Sequence, residues 1–175
     1  MADELRRCAP LVIAAFLCVN ASAQDVGPTV SEAMIDAPVE AVWAAWATSE
    51  GLRSWLAPHA EIDMRVNGRM RTNSSAGGAL GDAQTIENTV LSFEPQRMLS
   101  IKVAKPPAGF PFPNAIQQMW TVIHFESAGP QRTRMRVVGL GFGPDAESQK
   151  MRAFFDRGNA TTLEQLRRHF AAQSN

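Results

Sequence analysis

Apolar side chains recur first at the spacing of a helix and then, for most of the chain, at that of strands. From Pro38, the residues Val39, Val42, Trp43 and Trp46 stand three and four apart, which puts two indoles on one helical stripe. Proline suits the first turn, where its missing N–H would be unpaired anyway, and Glu40 suits the positive end of the helix dipole. Residues 30–35, ahead of this helix, alternate weakly as a strand does. Thr48 or Ser49 can cap a second short helix that ends near Trp55, and Pro58 prevents its continuation. Ile62, Met64 and Val66 then alternate with Glu61, Asp63 and Arg65, and Asn67-Gly68 can take the two positive φ angles of a tight type I′ turn. Met70 and Thr72 continue the inward face beyond it.

Four more segments read as strands, at 85–93, 98–103, 119–126 and 133–138, joined by turn residues such as Glu94-Pro95-Gln96 and Gly129-Pro130. Their short connections predict a mostly antiparallel sheet. After Gly143-Pro144-Asp145, a stripe of Met151, Phe154, Phe155, Gly158, Thr162, Leu166 and Phe170 predicts a long amphipathic helix to about Ala172, with Glu164 and Arg168 in the favourable i,i+4 order. That helix can bury its stripe only by lying across the sheet. Residues 73–82, rich in serine and glycine, have too little apolar area to offset their backbone entropy and are expected to form a mobile loop. Residues 105–114 hold Pro106, Pro107, Pro111 and Pro113, so no strand survives there.

The 175 residues carry 17 basic and 17 acidic side chains, a balance that offers no general attraction to nucleic acid. The first residues change the picture more. Arg6 and Arg7 precede an apolar run over 8–19, and small residues at Ala21 and Ala23 fit a signal peptidase. Residues 1–23 are therefore expected to be a cleaved signal peptide and residues 24–175 one secreted or periplasmic domain, in contact with membrane only through that signal. The run is too short to span a bilayer comfortably. Asp3 and Glu4 weaken its basic start, and an unusual first helix is the alternative. Both cysteines, Cys8 and Cys18, fall in the removed segment, so the mature chain would have no disulfide and no thiolate metal site. Phe16-Leu17 are bulky for a lipid-anchored Cys18.

Ala37-Pro38-Val39-Glu40-Ala41-Val42-Trp43, Trp55-Leu56-Ala57-Pro58, Arg65-Val66-Asn67-Gly68-Arg69-Met70, Phe93-Glu94-Pro95 and Thr133-Arg134 together resemble the START-like (SRPBCC) superfamily. Within it they are most similar to the branch homologous to the carboxyl-terminal domain of the heat-shock-protein-90 ATPase activator. The resemblance implies an α+β helix-grip fold, in which a curved, mostly antiparallel sheet wraps a long final helix and two short helices follow the first strand. It also implies a cavity between sheet and helix, the seat of a small apolar or amphipathic molecule, and these structural motifs specify no activity. Export would sit poorly with a cochaperone-like interaction module, because a compartment without ATP offers no ATPase to stimulate.

On that pattern the expected lining is Met64, Met70, Phe93, Met119, Ile123, Met135, Met151, Phe154 and Phe155; a Met-rich wall would accept varied shapes. The alternative is a dry, filled core. Gly158 costs about 1 kcal/mol inside a helix relative to alanine, and either leaves room for a ligand beside the polar Asn159 or allows close packing or a kink. Phe110 and Phe112 read as a lid over the mouth, with 74–81 as its partner, or as a plain connection. No cofactor is implied, and no catalytic motif occurs: Gly-x-Ser-x-Gly, P-loop and dinucleotide fingerprints are missing. His59, His124 and His169 lack metal-ligand spacing, so no metal site is expected. A cyclase- or hydratase-type enzyme would need His124 with Glu87 or Asn88 in the cavity. Arg65, Arg69, Arg71, Arg134 and Arg136 suggest an anion-binding patch or an ordinary solvated sheet face.

Overall fold

A computed structural model describes residues 26–173. Seven strands, β1 (Thr29–Ile35), β2 (His59–Ile62), β3 (Arg69–Asn73), β4 (Ile86–Glu94), β5 (Met98–Lys105), β6 (Trp120–Gly129) and β7 (Arg132–Leu140), form one sheet. Its order is β1-β7-β6-β5-β4-β3-β2, and every neighbouring pair is antiparallel. Helices α1 (Val39–Ala47) and α2 (Ser49–Trp55) follow β1, a 3-10 turn spans Ala115–Gln117, and α3 (Ala146–Gln173) ends the fold. This is the expected α+β helix grip: six strands meander, and the first reaches back to pair with the last. The expected signal peptide, residues 1–23, lies outside the described residues.

Local chemistry accounts for most element ends. The Thr48 hydroxyl accepts a hydrogen bond from Gly51 N at 2.9 Å, so the cap of α2 is Thr48 rather than Ser49. Gln96 takes φ 63°, and Arg97 N donates to Glu94 O at 3.0 Å, giving β4 and β5 a tight turn. In α3, Glu164 pairs with both Arg167 and Arg168, which holds its carboxyl down at about 2.

Two expectations are corrected. The β2–β3 connection is not a type I′ turn: β2 stops at Ile62, and only Asn67 (φ 63°) has a positive φ there. Gly68 N donates to Arg65 O at 2.8 Å, the pattern of a type II turn with Asn67 third. Gly68 is needed for space, since a Cβ there would lie 2.1 Å from Asp63 O. Docking explains the shape, because Asn67 N donates to Val90 O and Val90 N to Gly68 O. Val66 is consequently exposed and Met64 only half-buried. Nor is 73–82 a bare flexible run. Buried Asn73 donates to Ala79 O and Asp82 Oδ1, while Ala79 N and Gln84 N donate to the Asp82 carboxylate. Those N–H groups, Ala79 and Gln84 foremost, hold the Asp82 pKa below its ordinary value.

Two bulges set which strand residues face inward. Between Val90 and Ser92 the register of β4 against β5 shifts by Leu91, so Val90 and Phe93, opposite Ile101 and Leu99, share the inner face. A second shift, beyond the regular pair of Asn88 with Val103, puts Glu87 opposite Lys105. The main core joins these positions to Val42 and Trp46 of α1 and to Leu163, Leu166 and Phe170 of α3. A smaller core gathers Ala115, Ile116, Met119, Phe142 and Met151, with Phe110, Phe112 and Phe155 packed against it.

Candidate ligand cavity

The two cores do not meet completely. Between them lies a cavity of about 270 Å³, walled by the upper inner faces of β3 to β7, by α3 and by the proline-rich loop. At the other end of the sheet α1 acts as a plug: Trp43 meets Phe125 with ring centroids 5.3 Å apart, and Trp46 meets Trp55 at 4.9 Å. Beyond the indoles, Phe154, Phe155, Asn159 and Thr162 of α3 border the space without closing it.

Of the expected lining, Met70, Ile123, Phe154, Phe155 and Asn159 border the cavity, and so does Phe110 of the expected lid. The others do not. Met135 is sealed in the main core, where Met64 and Phe93 also pack. Met119 and Met151 fill the smaller core, because Met119 precedes β6 and Met151 faces the 3-10 turn rather than the sheet. Gly158 is exposed on the solvent side of α3; a Cβ built there meets nothing within 4 Å, so it neither makes room for a ligand nor packs closely. Phe112 stands behind the wall, its ring centroid 5.6 Å from Phe110 and 5.7 Å from Phe154. The expected Met-rich lining is therefore a wall of β-branched and aromatic residues, which holds its shape more firmly.

The loop over the mouth is anchored at both ends. Ala108 N donates to Ala83 O at 2.7 Å, tying it to the segment after 73–82. Asn114 N and Ala115 N donate to Glu147 Oε1 at 2.9 and 3.1 Å, and these bonds keep the Glu147 carboxyl below its ordinary range. Phe110, Phe112, Phe154 and Phe155 make a mutual edge-to-face cluster at the rim, with Phe154 44% exposed.

Polar groups inside are few and uncharged. Asn88 of β4 is 8% exposed and its side-chain amide has no hydrogen-bond partner among the described residues. Asn159 Nδ2 is shut off from solvent and likewise unpartnered. Thr72, Thr121 and Thr162 add hydroxyls, and Thr162 donates to Gly158 O. Thr162 lies on the inward stripe read from the sequence; Thr121 is placed inside by alternation with Ile123 of β6, and Asn88 by alternation with the buried Val90 of β4.

The acid–base set does not assemble. His124 sits on the outer face of β6, opposite Arg136, while Glu87 reaches Arg69 at 3.9 Å, and only Asn88 enters the cavity. Burial and the Arg136 charge lower the His124 pKa. The five arginines are all ion-paired, Arg65 with Asp63, Arg69 with Glu87, Arg71 with Glu61, and Arg134 and Arg136 with Glu32, so no free cationic patch forms among them. Among the described residues no three His, Cys, Asp or Glu side chains converge as a metal site, and no helix is long and apolar enough to cross a membrane.

Among curated proteins none matches this chain by sequence. Solved structures share its fold. The Aha1 dimer of Colwellia psychrerythraea is 16% identical, covering 82% of this chain and 95% of that one, with a TM-score of 0.61. The AHSA1-like protein of Aeromonas hydrophila is 21% identical over 84% of this chain and 94% of that one, at 0.61. CalU16 of Micromonospora echinospora is 19% identical over 84% and 78%, at 0.59. Residues 36–171 match the family described as Activator of Hsp90 ATPase homolog 1-like protein, and with the helix grip in place around them the chain belongs to that family, within the SRPBCC superfamily.

Proposed function

We propose that this protein binds a small apolar or amphipathic molecule in the space between its sheet and α3, without covalent chemistry. The observation that carries the reading is the cavity itself, bordered by Trp46, Phe110, Phe154 and Phe155 yet holding the unpartnered amide of Asn88. Its volume is nearly twice that of the ~150 Å³ apolar cavity that takes up benzene, which suits a compact ligand of one or two rings. Among the described residues no titratable side chain borders the space, which weighs against general acid–base catalysis there. Export of the mature chain belongs to the same proposal and rests on the pattern of residues 1–23. Amino-terminal sequencing of the protein recovered outside the cytoplasm should begin at Gln24; a start at Met1 would remove export.

The direct test is native mass spectrometry of the purified protein together with melting curves against a panel of small aromatic and aliphatic compounds. Binding to the folded state alone raises the melting temperature in proportion to the logarithm of ligand concentration. Val103→Phe, which projects a ring into the cavity, should abolish that rise while leaving the circular dichroism spectrum intact. If no compound shifts the melting curve and only the bare mass is seen, a role in protein interaction replaces this reading.

A further inference from the structure

We infer that the cavity selects an uncharged carbonyl compound over the matching carboxylate, with the amides of Asn88 and Asn159 donating to the ligand's oxygen. This inference rests on the ligand-binding reading above and narrows it to a chemical class. Among the described residues the wall contains no lysine, arginine, histidine, aspartate or glutamate. A carboxylate entering it would lose its hydration and gain no counter-charge, a transfer that drives the group toward its neutral form. A pure hydrocarbon would fit the aromatic rim but leave the polar groups unanswered.

Those groups come from opposite walls. Asn88 is presented by β4, opposite Val103 and beside the second bulge; the residue is 8% exposed and its amide has no partner among the described residues. Asn159 is presented by α3 and keeps a solvent-free, unpartnered Nδ2. Its amide turns about a soft torsion, so its NH2 can be offered to the cavity at little cost. A buried donor without an acceptor is costly, and a ligand oxygen removes that cost while water and charge stay out. Trp46 of α1, which also borders the cavity, has a buried indole N–H that is likewise unpartnered.

Three shape-matched probes separate the possibilities: 2-acetylnaphthalene, 2-naphthoate and 2-ethylnaphthalene, titrated calorimetrically at pH 7 into the purified chain. The ketone should bind about tenfold or more tighter than the carboxylate. It should bind about three- to tenfold tighter than the hydrocarbon, the span of one net hydrogen bond. Asn88→Leu and Asn159→Leu should each erase part of the preference for ketone over hydrocarbon. The ranking of the three probes on the unaltered protein needs no variant to fold. A carboxylate that binds as tightly as the ketone, or a hydrocarbon that matches it, overturns the inference while leaving the ligand cavity standing; failure of all three probes to bind overturns both.

Discussion

Gly158 shows no contact that requires it: it lies in α3, exposed, with open space where a side chain would be. Gly158→Ala should therefore stabilise the protein by about 1 kcal/mol, through helix propensity and a less mobile unfolded chain. Urea unfolding should register this as a higher midpoint at unchanged slope; a lower midpoint would mean that the space is occupied. His124 makes a prediction of the opposite kind. Burial and the neighbouring Arg136 lower its pKa from the ordinary 6.5, so the unfolded chain takes up the proton more readily than the folded one. Its contribution to stability is then complete above about 6.5 and shrinks as pH falls through that value. His169, lowered by burial, acts with the same sign. In His124→Gln the loss of stability between pH 7 and 5 should be smaller than in the unaltered protein; an identical pH profile would rule the histidine out.

At the scale of elements, α2 owes its start to one hydroxyl. Thr48 accepts from Gly51 N and stands at the joint between two helices that plug one end of the sheet. Thr48→Ala should cost about 1 kcal/mol, read from thermal unfolding, with the far-ultraviolet spectrum unchanged. No measurable loss would mean that the tight fit of Gly51 against Ala44 and Ala45 holds the joint without the cap. The bulge at Leu91 matters more for the interior. By shifting parity within β4 it turns Phe93 inward at the filled end, while Asn88 at the hollow end follows Val90 by plain alternation. Alternation of residue types finds the strands, but an extra residue in a strand is invisible to it until the partner strand is known.

Over the whole molecule, the methionines sort into two mechanical roles. Met135, fully buried in the main core, has neighbours on every side, so Met135→Ala should cost about 2–5 kcal/mol and leave ligand preference unchanged. Met70 is also buried but already borders the void. Met70→Ala should cost less and shift binding toward larger compounds, as seen by comparing one-ring and two-ring ligands in melting curves. Equal costs at the two positions would indicate that the space collapses when the protein is in solution.

Sequence alone determined the element order, the two indoles of α1, the long amphipathic α3 and the family to which these belong. All of these depend on neighbours three or four residues apart, or on alternation within one strand, so local physics carries them. The tertiary structure decided which apolar side chains meet and which leave a gap. Met119, Met135 and Met151 have the composition of a flexible ligand wall, yet they fill cores; Asn88 has that of a solvent-facing strand position, yet it looks inward. Whether a side chain fills space or borders it depends on the reach of residues far away in the chain, here the indoles entering from one end and the phenylalanine rim closing the other, and no local period records that distance.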